Sequence, residues 1–237
     1  MAKPGRVVAV VTADIINSSR YSREDRRKLD RVLRQAFADT ERRFPKAIHT
    51  TLAFRITAGD EFQCVIADIA QAFAIVTYLR ATAATGGLRP PLRFRASIGI
   101  GEMSTPKRVS SYEEDGPAFL NSRQGLDDMA KGRGPVRWTK LVTGARELDE
   151  PADAVLCLAD YMQQAWTVPQ CEAIRWSLLG LTREEIGKRL RVAHQNVTKR
   201  LRAAGWPNFE VGATFVRRTL ERAPDTLKGV QATDAPR

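Results

Sequence analysis

The sequence predicts an α+β protein: a ferredoxin-like sheet domain over residues 1–145, followed by a small all-α domain over residues 163–222. Strand-like and helix-like stretches alternate as β-α-β-β-α-β through the first part. From residue 168 to 203 the periodicity is helical only. Charge marks the division: residues 1–145 hold 24 basic and 15 acidic side chains, residues 146–162 hold 1 and 5, and residues 163–237 hold 13 and 7.

Each element has its own signal. Val7–Ala13 is a near-continuous apolar, β-branched run, the pattern of a strand buried on both faces. Residues 22–44 set Leu29, Val32, Leu33, Ala36, Phe37 and Phe44 at helical spacing, with Ser22 as N-cap and Asp25 three residues on. Strands at Thr50–Thr57 and Phe62–Ala67 flank the turn Ala58-Gly59-Asp60-Glu61, which makes a hairpin. Residues 68–84 form an apolar helical stretch that Gly86-Gly87 ends. Leu92–Gly101 alternates Leu92, Phe94, Ala96, Ile98 and Ile100 as a strand; a third helix over about 116–131 and a late strand at Val136–Val142 follow. This order belongs to a ferredoxin-like sheet with its helices on one face. Residues 146–162 read as an acidic linker or helix, and residues 223–237 as a loose tail.

Composition narrows the function classes. With 237 residues, 43% apolar, the chain is neither a disordered tail nor a fibre nor a membrane protein. A net charge of +11 and a pI near 10.1 favour polyanionic partners: nucleic acid, nucleotides or an anionic surface. A soluble protein with a merely basic surface is the alternative. Cys64, Cys157 and Cys171 lie far apart, and His49 and His194 are the only histidines, so neither a Cys/His zinc site nor a disulfide framework can be built. Unpaired thiols fit a reducing compartment, so a cytoplasmic location is expected. The run Val7–Val11 is too short to span a membrane.

Asp14 closes the first strand, and Asp60 and Glu61 sit at the hairpin, so the three converge at one sheet edge. Carboxylates on rigid strands suit Mg²⁺, and two such metals can clamp the oxygens of a phosphoryl transfer. The plainer alternative is that Asp14 caps the next segment and Gly59-Asp60 is a good turn. Arg20, Arg95 and Arg123 are candidate phosphate clamps or solvated surface charge.

The segment Val11-Thr-Ala-Asp-Ile-Ile-Asn-Ser-Ser-Arg20, with Arg55-Ile-Thr-Ala-Gly-Asp-Glu-Phe-Gln63, resembles the SatD family, and the resemblance covers most of the chain. The same segments are similar to the paired metal motifs of GGDEF diguanylate cyclases and class III nucleotidyl cyclases. Ala96-Ser-Ile-Gly-Ile-Gly-Glu102 likewise resembles the cyclase strand after the second helix. The resemblance implies a palm-type, nucleotidyl cyclase-like domain. It also implies two-site Mg²⁺ at Asp14, Asp60 and Glu61, and a nucleotide ligand at Asn17, Ser18, Arg20 and Gly59. The match is incomplete. Asn17-Ser18-Ser19-Arg20 stands where GGDEF cyclases carry Phe-Lys and Asn-Asp. Class III cyclases carry an Asn and an Arg four residues apart; here Asn121 and Arg123 are two apart, about 200° around a helix. Two expectations stay open for this domain, a metal or nucleotide sensor and a Mg-dependent nucleotidyl cyclase or related phosphoryl transferase.

In the C-terminal part, Thr182 and Glu185 form a capping box that starts a helix through Ile186 and Leu190. After a break near Arg191-Val192, a second helix from about Ala193 turns Val197 and Leu201 inward, and Gly187 sits where the two cross. Two short helices joined by a tight turn make a helix-turn-helix. Its Leu-Thr-x-Glu-Glu-Ile and Val-x-x-Arg-Leu patterns resemble sigma-factor region four and LuxR-type regulators. The resemblance implies double-stranded DNA as partner and a role in transcription regulation. His194, Gln195, Asn196 and Thr198 would then face bases, and Arg183, Lys199, Arg200 and Arg202 phosphates. A helical hairpin for dimerisation, or for packing on the first domain, is the other reading. Trp166, Trp176 and Trp206 read as core aromatics. A palindromic site would require a homodimer, and no coiled-coil heptad is present to build one.

Overall fold

The computed structural model describes residues 6–18, 21–103, 116–132 and 136–233. Their elements are β1 (Arg6–Ile15), α1 (Arg23–Arg43), β2 (Arg55–Ala58), β3 (Glu61–Ile66), a 3-10 turn (Ile69–Gln71), α2 (Ala72–Ala84), β4 (Phe94–Met103), α3 (Pro117–Lys131) and β5 (Thr139–Val142). The helices α4 (Arg146–Gln164), α5 (Val168–Ser177), α6 (Arg183–Leu190), α7 (His194–Ala203) and α8 (Trp206–Thr233) follow. The sheet runs β2-β3-β1-β4-β5: β1 is central and antiparallel to both neighbours, and β5 adds parallel to β4.

β1 is buried on both faces because each face meets its own set of helices. Ala9, Val11, Ala13 and Ile15 join the main core with Val32, Leu33, Ala36 and Phe37 of α1 and Phe73, Val76 and Leu79 of α2. Val8 and Val10 join a second cluster with Ala118 and Phe119 of α3. The expectation of helices on one face is therefore corrected. The physical reason lies in β4, whose second face carries Ser97, Gly99 and Gly101. A Cβ on Gly99 would stand 2.2 Å from the Ser122 backbone nitrogen and 2.3 Å from the Ala118 carbonyl oxygen. Glycine there lets the α3 backbone lie directly on the strand.

α1 starts where Ser22 Oγ accepts from the Asp25 backbone N–H at 3.0 Å, which satisfies one of the open donors of the first turn. The acidic segment is the helix α4. It packs through Leu148, Ala152, Leu156 and Ala159, and its Asp160 anchors it to β5. That carboxylate, 0% exposed, accepts from the Trp138 and Thr139 backbone N–H groups at 2.8 Å each and from Thr139 Oγ1 at 2.7 Å. Burial raises the Asp160 carboxyl above its ordinary range, against the opposing pull of Arg80. Arg80 of α2 is buried beside it, donates to the carbonyls of Phe94 and Trp138 and to Thr139 Oγ1, and is pushed down to about 10 by that burial.

The core continues into the C-terminal helices. Phe73 stacks with Phe209 of α8 at 5.7 Å, Phe209 also meets Trp166 and Trp206, and Trp166, Trp176 and Trp206 are all buried. Arg93, ahead of β4, donates to the carbonyls of Gln164 at 2.7 Å and Trp166 at 3.5 Å. Residues 223–233, expected as loose, belong to α8. Val216, Leu220 and Ala223 are fully buried and Leu227 packs against them, a helical spacing that holds the segment on the core. Among the described residues, no helix is long and apolar enough to cross a membrane.

Candidate phosphate and nucleic-acid sites

In the β1 register Asp14 stands opposite Glu61 of β3 on one side and Arg95 of β4 on the other. Directly paired residues of antiparallel strands project to the same face, here the face that α3 covers. Arg95 takes both oxygens of Asp14, Nε at 2.8 Å and Nη2 at 2.5 Å. The hydrogen bond with Asp14 raises the Arg95 guanidinium above its ordinary value; burial opposes it, and the charges of Asp14 and Asp60 add to the rise. Arg123 of α3 donates to Glu61 at 2.5 Å. Behind these pairs, Arg55 donates to Gln63, Gln63 to Thr12, and Thr12 lies 2.8 Å from Ser122 Oγ, so hairpin, β1 and α3 share one polar chain.

Asp60 lies in the turn between β2 and β3, where Gly59 adopts φ +58°, a conformation that costs other residues backbone strain. The turn faces a cleft of about 450 Å³ toward α1, lined by Ser18, Arg26, Asp30, Gly59 and Asp60. Of the residues expected to hold a nucleotide, Ser18 and Gly59 line this cleft, and Asn17 is exposed with φ +55°. Arg20 lies outside the described residues. Arg26 and Asp30 are additions that the sequence reading missed, although their i, i+4 spacing on the helix after Asp14 is the signal that would have found them.

The three carboxylates expected to hold Mg²⁺ do not fit a metal centre as placed. Asp14 spends both oxygens on Arg95, Glu61 is bonded to Arg123, and Asp60 faces the cleft. Mg²⁺ needs free carboxylate oxygens, and among the described residues no three His, Cys, Asp or Glu side chains gather to hold a metal. Asn121 turns to β4 and donates to the Ile100 carbonyl.

The second site is the α6–α7 pair. Thr182 and Glu185 bond reciprocally, at 3.3 Å and 2.8 Å, and the hydrogen bonds from Thr182 hold the Glu185 carboxyl below its ordinary range. Arg191 ends α6 in the left-handed conformation, and the turn passes so close that a Cβ on Gly187 would stand 2.7 Å from the Val192 carbonyl oxygen. Ile186, Val197 and Leu201 are buried beneath the pair. His194, Gln195, Asn196, Lys199, Arg202 and Arg183 are exposed. Two expected contacts are otherwise occupied. Arg200 donates to Glu172 at 3.0 Å and to the Pro169 carbonyl, which ties α7 to α5, and the Thr198 hydroxyl caps back to the His194 carbonyl.

The model of the SatD family matches residues 7–209. Comparison with curated proteins finds no match. Among solved structures, the chain is similar to the catalytic core of a rhodopsin-guanylyl cyclase with converted specificity in complex with ATPalphaS, at 16% identity and TM-score 0.36, covering 53% of this chain and 73% of that one. It is similar to the non-canonical dimeric guanylyl cyclase domain of the RhoGC fusion protein from the aquatic fungus Blastocladiella emersonii, at 16% identity and TM-score 0.35, over 53% and 76% of the two chains. It is also similar to a class III adenylyl cyclase-like ATP-binding protein from Pseudomonas aeruginosa, at 18% identity and TM-score 0.37, over 78% and 42%.

Proposed function

The chain belongs to the SatD family, and from that premise we propose that it is a DNA-binding regulator in which the sheet domain carries a nucleotide-responsive cleft and the α6–α7 pair docks on the duplex. The observation that carries this reading is the start of α7. Gln195 and Asn196 are exposed there, on a helix whose opposite side is fixed by buried Val197 and Leu201. A helix-turn-helix places such residues against base edges in the major groove, where Gln and Asn can each bond adenine in a bidentate way. Lys199, Arg202 and Arg183 are exposed cations beside them and supply phosphate contacts. A palindromic operator would pair two copies of the chain. The test is duplex binding by fluorescence anisotropy across a salt series. Affinity falls steeply with salt, and Gln195→Ala/Asn196→Ala relaxes sequence preference more than it weakens binding. A protein that binds no duplex at low salt overturns the reading.

Catalysis on a nucleotide is the second reading, a nucleotidyl cyclase or related phosphoryl transferase. It is favoured by Asp60 in the cleft with Asp14 and Glu61 on the adjoining strands. That chemistry requires Arg95 and Arg123 to release their carboxylates. Incubation with each nucleoside triphosphate and Mg²⁺ or Mn²⁺ tests it: a cyclic or linked product formed by the wild type and lost in Asp60→Ala establishes turnover.

A further inference from the structure

Trp176 on α5 is 8% exposed, and guanidinium groups from three helices lie against its ring. The Cζ of Arg43, at the end of α1, is 5.1 Å from the ring centroid, and those of Arg175 on α5 and Arg189 on α6 are each 4.7 Å away. Arg42, next to Arg43 in sequence, is 70% exposed. Two carboxylates face this group: Asp39, and Glu185 one turn before Arg189 on α6, whose carboxyl the Thr182 hydrogen bonds and then the Arg189 charge lower. Asp39 lies 2.9 Å from Arg42 and 4.0 Å from Arg43, and it also accepts from the Tyr78 hydroxyl at 2.7 Å. Arg175 and Arg189 make no ion pair among the described residues, and the buried Nε of Arg175 has no hydrogen-bond partner.

An aromatic face attracts each cation but neutralises none, so three guanidinium groups on one indole, with Arg42 nearby in sequence and only Asp39 and Glu185 against them, keep an excess of positive charge. A guanidinium held over a ring by cation–π attraction keeps N–H groups that can still donate, and their fork matches the oxygens of a phosphate group. Residues 20–46 hold ten basic and five acidic side chains and residues 181–202 hold seven and two, and these two basic segments, far apart in sequence, meet here through Arg43 and Arg189. We propose that Arg43, Arg175 and Arg189 form a phosphate-binding site at the seam between the sheet and the C-terminal helices, separate from the Asp60 cleft and from α7. Duplex backbone and free nucleotide present the same phosphate oxygens, and the site takes that chemistry from either source.

The experiment compares wild type with Arg43→Gln/Arg189→Gln and leaves Arg175 in place, because its Nη1 donates to Thr85 Oγ1 and joins α5 to α2. Calorimetric titration with inorganic pyrophosphate and with ATP, and anisotropy with a short duplex across a salt series, read the two sources. A free-phosphate source gives about tenfold weaker pyrophosphate and ATP binding in the variant, with duplex binding unchanged. A backbone source lowers the steepness of the salt dependence by about 1 to 2. Unchanged binding in both arms overturns the proposal. Should the variant fail to fold, wild-type protein treated with an arginine-specific reagent decides the matter. Pyrophosphate or duplex must shield Arg43 and Arg189 from modification, as read by mass spectrometry, and equal modification with and without both ligands overturns the site.

Discussion

Arg95 reaches across the β1–β4 pair and closes both oxygens of Asp14 in a two-pronged ion pair, at 2.8 Å and 2.5 Å. With Glu61 directly opposite Asp14 on β3, this guanidinium offsets the charge of a carboxylate that has a second carboxylate as its other neighbour. Arg95→Ala is expected to destabilise the protein by about 1–3 kcal/mol, since a half-buried carboxylate loses its partner. The double variant with Asp14→Ala recovers part of the loss. Urea unfolding of the four-member cycle measures the coupling, and additivity within about 0.3 kcal/mol would show that the pair does not act as a unit.

Gly99→Ala places a methyl group within 2.2–2.3 Å of two α3 backbone atoms that cannot rotate away. The expected loss is about 1–3 kcal/mol or more, the usual cost of overpacking. Gly59→Ala meets no atom within 4 Å and pays only for its left-handed backbone, about 1–2 kcal/mol. Thermal unfolding ranks the two, and a Gly99 variant as stable as wild type would contradict the close approach of α3.

The Tyr78 hydroxyl is raised to about 12, mainly by burial and further by its hydrogen bond to Asp39. The folded value exceeds the unfolded one, near 10, so the folded state holds this proton more tightly. Its contribution is fully present below pH 10 and is lost as pH rises toward 12. Tyr78→Phe should therefore cost about 1 kcal/mol at pH 8. That difference should shrink steadily above pH 10, as read by denaturant unfolding of both proteins at each pH. A difference constant from pH 8 to 11.5 would contradict the assignment.

Arg200 and its neighbours on α7 are expected to separate cleanly. Arg200→Ala removes the bonds to Glu172 and Pro169, so it should lower stability by about 1 kcal/mol and leave the salt dependence of duplex binding intact. Lys199→Ala/Arg202→Ala should do the reverse, lowering the salt slope by roughly 2 with little change in melting temperature. An Arg200 variant that loses salt dependence would return that residue to the phosphate contacts.

Much of the sheet was legible because its signals are local. The apolar run at Val7–Ala13, the Gly59 turn and the Ser22 and Thr182 caps each act within a few residues, and each has its element in the structure. The opposite placement of α3 was not, because a strand face of Ser97, Gly99 and Gly101 reads as a polar side until a helix backbone is seen to need that space. The fate of Asp14 was hidden for a different reason. Its partner lies 81 residues away, and which strand residues face each other is set by register, which hydrophobic alternation constrains only to one face. The continuation of α8 past residue 223 was masked by Pro224 and polar neighbours, although Val216, Leu220, Ala223 and Leu227 keep a helical stripe.

The contacts of Arg93 with the Gln164 and Trp166 carbonyls, and of Phe73 with Phe209, make the C-terminal helices an outrigger bolted to the sheet. Severed near residue 163, that part would bare the rings of Trp166, Trp206 and Phe209 to water and would be expected to clump. The intact chain should melt in one step.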